Sequence, residues 1–151
     1  MNKITRNEEF IELYKLHAEF ADRVSQRREG ANRLYTGLLT GLAAAVGAVF
    51  QLAPSNEPID ATFLIGGILG TMLSVSWYIV IRSYRQLNSG KFKALLELEK
   101  HLAYPFFTRE WELLKEGTDY RRYWQLTNVE TSLPSIFFFL SIFVILLYCI
   151  L

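Results

Sequence analysis

Few residues in this sequence could carry bond chemistry, and they are scattered. The two histidines, His17 and His101, lie far apart, and neither has metal-ligand spacing to a second ligand. His17 falls among apolar residues at helical steps, which reads as packing. The single cysteine, Cys149, rules out an internal disulfide or a thiolate cluster and sits in an uncharged run without a cationic neighbour. No GxxxxGK[ST] or GxGxxG follows a strand, so a phosphate cradle has no support. The densest mixture of aromatics, arginines and carboxylates is Pro105 to Glu130, opening PFFTREW. Such a run can be a catalytic pocket, a nucleic-acid face or a packed joint beside a membrane.

The first two readings fare poorly. Arg121, Arg122, Tyr123 and Trp124 combine charge with stacking groups, but Glu110, Glu112, Glu116 and Asp119 crowd them. A nucleic-acid footprint shows a clearer basic excess. The reading is therefore no catalytic residue, cofactor, metal, nucleic acid or small-molecule substrate. The aromatics Phe106, Phe107, Trp111, Tyr123 and Trp124 are assigned to packing a helical collar.

What must position that collar is a membrane. The chain has 151 residues, 51% hydrophobic and 21% charged, and its start is polar and charged, so no secretory signal is expected. Three stretches lack charge over the ~20 residues a bilayer needs: 34–53, 61–81 and 133–151. The connector 54–60 has no Lys or Arg and carries Glu57 and Asp60. Seven basic residues lie in 1–33 and nine in 82–122. The positive-inside rule then puts 1–33 and 82–132 in the cytoplasm, with the 54–60 turn and the C-terminus outside. Arg27, Arg28, Arg33, Arg82 and Arg85 cluster at membrane level, where anionic lipid headgroups would attract them. Trp77, Tyr78 and Tyr35 lie nearby, as interfacial rings do.

No Asp, Glu, Lys, Arg or His interrupts a span, which argues against a coupled transporter. Instead, small residues recur every fourth position: Gly37, Gly41 and Ala45 in the first span, Gly66, Gly70 and Ser74 in the second. Such stripes let helix backbones approach closely, so the first two spans are expected to pair through them as a hairpin. The third span, with Phe137, Phe138, Phe139 and Phe143, suits lipid or a subunit boundary.

The cytoplasmic parts read as helices. Phe10, Leu13, Tyr14, His17, Phe20, Ala21 and Val24 make one apolar face over 8–33. Acids and bases alternate opposite, which favours packing on protein over lying on lipid. After the second span a helix should continue with Leu87, Ala94, Leu95, Leu98 and Leu102 on one face until Pro105 ends it. Thr108 is the expected N-cap of a short helix over 109–116, with Glu110 and Glu112 in its first turn, and Gly117 is its C-terminal breaker. Thr118 or Asp119 would cap a last helix leading to Pro134. The fold class is all-α: an integral membrane protein with three transmembrane helices and a helical cytoplasmic collar.

ADRVSQRREGAN (21–32), SYRQLNSGKF (83–92), LELEKHLAYPF, EWELLKEG and YWQLTNVE together resemble the RipA family of small bacterial inner-membrane proteins. The likeness covers most of the chain and departs from the family's turn at Ala103 and Tyr104. It implies an octameric protein of the cytoplasmic membrane with no assigned reaction. The helix-plus-two-span half is also similar, in architecture alone, to two-span effector modules of bacterial defence systems. The expected function is a non-enzymatic homo-oligomeric assembly or scaffold whose partner is itself. The alternative is a pore at the oligomer axis, which bilayer conductance would reveal.

Overall fold

The structure, a computed structural model, describes residues 3–52, 60–114 and 126–150, with side chains over 8–52, 61–114 and 129–150. Four helices account for nearly all of it: α1 (Lys3–Leu52), α2 (Asp60–Glu99), α3 (Phe106–Leu113) and α4 (Leu126–Ile150). No strand occurs among the described residues. Neither α1 nor α2 contains proline, so nothing interrupts their backbone ladders over 50 and 40 residues. Three helices are long and apolar enough to cross a membrane: α1, α2 and α4. The turn 54–60 expected between the first two spans lies outside the described residues, apart from the backbone of Asp60.

The chain divides into two compact units. The first is built from Met1–Arg28 and Ser83–Asn128, the second from Glu29–Arg82 and Val129–Leu151. In the first, Ala21 and Val24 of α1 and Leu95 of α2 are buried. The buried line on α2 runs through Leu95 and Glu99, whereas Leu87 is 50% exposed. Leu102 lies beyond the helix altogether, because α2 ends at Glu99 and not at Pro105. Two tight backbone bonds close that end, His101 N–H to Leu98 O and Leu102 N–H to Glu99 O, both 3.0 Å.

In the second unit α2 is the central helix, burying 28% of its most apolar stretch against 6% for each of the other two spans. Leu39, Trp77 and Ile81 form its core, with Tyr35, Leu73 and Phe137 packed against them. Tyr35 stacks on Trp77 with centroids 6.0 Å apart and planes at 4°. Pro134 lies inside α4 and is fully buried. It removes one N–H from the ladder, and Ser135 donates to Thr131 O at 2.9 Å beside it.

Candidate functional site

The most organised polar centre is a carboxylate whose importance the sequence did not signal. Glu99, the last residue of α2, is 1% exposed. Its Oε1 accepts from Tyr14 OH at 2.9 Å and from Phe107 N–H at 2.7 Å. Its Oε2 accepts from Thr108 N–H at 3.0 Å and from the Thr108 hydroxyl at 2.8 Å. Two of these donors are amides in the first turn of α3, which no residue within the helix can satisfy. Pro105 holds the N-cap position and supplies no side-chain hydrogen bond, so Thr108 is not the cap expected from sequence. The cap is supplied by another helix. Because α3 starts at Phe106, Glu110 and Glu112 also fall beyond its first turn. Glu112 instead pairs with Arg109 at 2.9 Å.

The electrostatics follow from the donors. Burial alone would raise the Glu99 pKa. The Phe107 N–H, the Thr108 hydroxyl and N–H, and the Tyr14 hydroxyl outweigh burial and hold it below the ordinary value of 4.5. Tyr14 shifts the other way, from 10.0 to about 12, through burial and then through its bond and proximity to the Glu99 carboxylate. With four donors on its two oxygens, Glu99 clasps α1, α2 and α3.

Aromatic packing surrounds this clasp. Phe107 sits between Tyr14, at 6.1 Å, and Phe92, at 5.7 Å. Of the other aromatics expected in a collar, Phe106 is 65% and Trp111 42% exposed, with the Phe106 and Tyr104 ring centroids 4.7 Å apart. Tyr123 and Trp124 lie outside the described residues, as do Gly117, Thr118 and Asp119. The two histidines, unrelated in sequence, line one groove of about 340 Å³ with Phe10, Glu97 and Leu98. His101 stacks on Phe10 at 5.2 Å and His17 meets Phe20 edge-on at 6.5 Å. No group of three metal-ligating side chains occurs among the described residues.

The small-residue stripes part company in the second unit. On α2, a methyl added at Gly66 would sit 2.6 Å from Val46, and one at Gly67 would sit 2.6 Å from Ile145 and 3.2 Å from Ser141 O. A methyl at Gly70 would collide with the Ser141 hydroxyl, and Ser74 is buried. On α1, by contrast, Gly37 and Gly41 have nothing within 4 Å, and Ala45 is exposed. The α2 stripe therefore receives α1 and α4 side chains, while the α1 stripe meets no other helix among the described residues. The hairpin does not close stripe to stripe. The face of α1 turned inward carries Tyr35, Leu39, Leu42 and Val46 instead.

A polar relay accompanies that core. Trp77 Nε1–H donates to Asn32 Oδ1 at 2.9 Å, and Asn32 Nδ2–H donates to Glu130 Oε1 at 3.3 Å, tying α2 to α1 and α1 to α4. Among the arginines expected at membrane level, Arg33 pairs with Glu29, and Arg27, Arg82 and Arg85 are exposed. Arg28 is partly buried.

These features define an all-α membrane protein with three helices able to span a bilayer. The chain belongs to the octameric membrane protein family (8xMP), whose model matches residues 11–151. That is the kind of family its sequence motifs resemble. No curated protein and no solved structure matches it.

Proposed function

We propose that this chain is a non-enzymatic, self-associating scaffold of the bacterial inner membrane, its first unit forming a helical collar in the cytoplasm. Membership of an octameric membrane family carries this reading. Two features of the chain support it. The best-built polar centre among the described residues, at Glu99, joins three helices. The Gly37, Gly41 and Ala45 stripe is left uncovered by the chain's own helices, as a surface meant for another helix would be.

Mass measurement in mild detergent tests the proposal. An assembly of eight copies is expected, and a monodisperse monomer would end the idea. Gly41→Leu should release smaller species that keep full helicity, since among the described residues nothing lies within 4 Å of a Cβ added there. Gly67→Leu should instead damage the subunit itself, because Ile145 and the Ser141 carbonyl occupy that space.

A further inference from the structure

Between α2 and α4 the second unit holds a groove of about 230 Å³. Ser74, Val75 and Tyr78 line one wall, and Ser135, Phe138 and Phe139 line the other beside Pro134. A dry cavity of ~150 Å³ holds benzene, so this groove takes one ring or a length of hydrocarbon chain. Its floor contains an anomaly. Ser74 is 1% exposed and its hydroxyl oxygen has no hydrogen-bond partner. Hydroxyls in spanning helices ordinarily bond back to their own helix, as Thr71 does to Gly67 O at 2.8 Å and Ser135 does to Thr131 O at 2.9 Å. Ser74 does not.

Ser74, Tyr78 and Arg82 follow one another at four-residue steps on α2, which puts two hydroxyls and a guanidinium on one helix face about 6 Å apart along the axis. Arg82 is the first charge after the uncharged run of α2. It is exposed and meets no carboxylate among the described residues. Long side chains on a helix lean toward its N-terminus, which brings the guanidinium over the turn that holds Tyr78.

The geometry points to a site for one glycerophospholipid. Its phosphate lies against Arg82, an ester carbonyl accepts from the Ser74 or Tyr78 hydroxyl, and one acyl chain lies along Val75, Phe138 and Phe139. A second copy of the chain answers the same features less well. The carbonyls of its spanning helices are already bonded within each helix and answer the Ser74 hydroxyl poorly, whereas a lipid ester carbonyl is free to accept. The site does not depend on the scaffold reading above, and a monomer would bind the lipid as well.

Native mass spectrometry of the full chain, purified in mild detergent and offered either phosphatidylglycerol or diacylglycerol, tests the assignment. One phosphatidylglycerol per subunit should survive activation, with diacylglycerol retained far less. Ser74→Ala, which removes one oxygen and a neutral hydrogen bond, should lower retention roughly two- to tenfold, and Arg82→Gln, which removes a bond to a charged group, roughly tenfold or more. Equal retention of the two lipids, or unchanged retention in both variants, overturns the site. Replacing Phe139 with the photoreactive p-benzoylphenylalanine gives an independent readout. Adducts of phospholipid mass are expected, and covalent protein dimers would show that a neighbouring chain fills the groove instead.

Discussion

Replacing Glu99 should free the first turn of α3 while leaving the rest of the protein folded. Its carboxylate receives the N–H groups of Phe107 and Thr108 together with two hydroxyls, all in a site almost closed to water. A hydrogen bond to a charged group contributes roughly 1.5–3 kcal/mol. Each ~1.4 kcal/mol is a factor of ten, so in Glu99→Ala the two amides should exchange about 10–100 times faster. Glu99→Gln keeps the shape and one carbonyl acceptor but loses the charge, and should fall near the lower end of that range. Loss of a helix cap costs about 0.5–2 kcal/mol, too little to unfold a unit whose Leu95 remains buried. Hydrogen exchange read by mass spectrometry on peptides covering 102–114 measures this, with an α2 peptide over 64–80 as internal reference. The pH dependence adds a sign. The folded pKa of Glu99 is depressed, so protection should be complete above about 4.5 and be lost as pH falls through the lower folded value. In Glu99→Gln that acid limb should vanish. Unchanged exchange at Phe107 and Thr108 in both variants would refute the reasoning.

Tyr14 gives the alkaline counterpart. Its pKa is raised from 10.0 to about 12, so the stability it lends is intact below 10.0 and lost as pH rises through 12. Phenolate absorbance should show a step near 12, and Tyr14→Phe should remove it. Phe107 and Phe106, adjacent in sequence, should differ sharply. Phe107→Ala empties the space between Tyr14 and Phe92 and should cost about 2–4 kcal/mol in a reversible denaturation of the detergent-solubilised protein, whereas Phe106→Ala, largely exposed, should stay near 0.5.

The three apolar helices were legible because absence of charge over twenty residues is a collective signal that no single substitution hides. The end of α2 was not. Pro105 forbids a helix through itself, but the helix stops six residues earlier, where Glu99 is more valuable to α3 than to α2. A carboxylate at a helix C-terminus opposes the macrodipole, so Glu99 in LELEKHL was already out of place as a mere surface charge. That was the available clue. Thr108 looked like the local cap because sequence reasoning ranks near neighbours, while a distant carboxylate makes the stronger, charge-assisted bond. Asn32 carried no signal at all, since its partners Trp77 and Glu130 are 45 and 98 residues away.

The glycine stripes show where pattern stops and geometry begins. As strings, Gly37-Gly41-Ala45 and Gly66-Gly70-Ser74 are equivalent. In space one is filled by Val46, Leu42 and Ser141, and the other is open among the described residues. Exposure of apolar side chains decides little here, because lipid covers Leu34, Phe139 or Ile150 at no loss. Glycine is different. In a helix interior it costs up to about 1 kcal/mol relative to alanine, and that cost is offset only where another backbone comes close. Gly67 has such a neighbour in the Ser141 carbonyl, Gly66 and Gly70 have side chains seated against them, and Gly37 and Gly41 have neither. Gly37→Ala with Gly41→Ala should therefore leave the isolated subunit equally stable or firmer by up to ~1 kcal/mol per site, while loosening an assembly that packs on this face. Subunit stability in denaturing detergent and assembly mass in mild detergent should move in opposite directions. If both stay unchanged, the open stripe plays no part in how the copies meet.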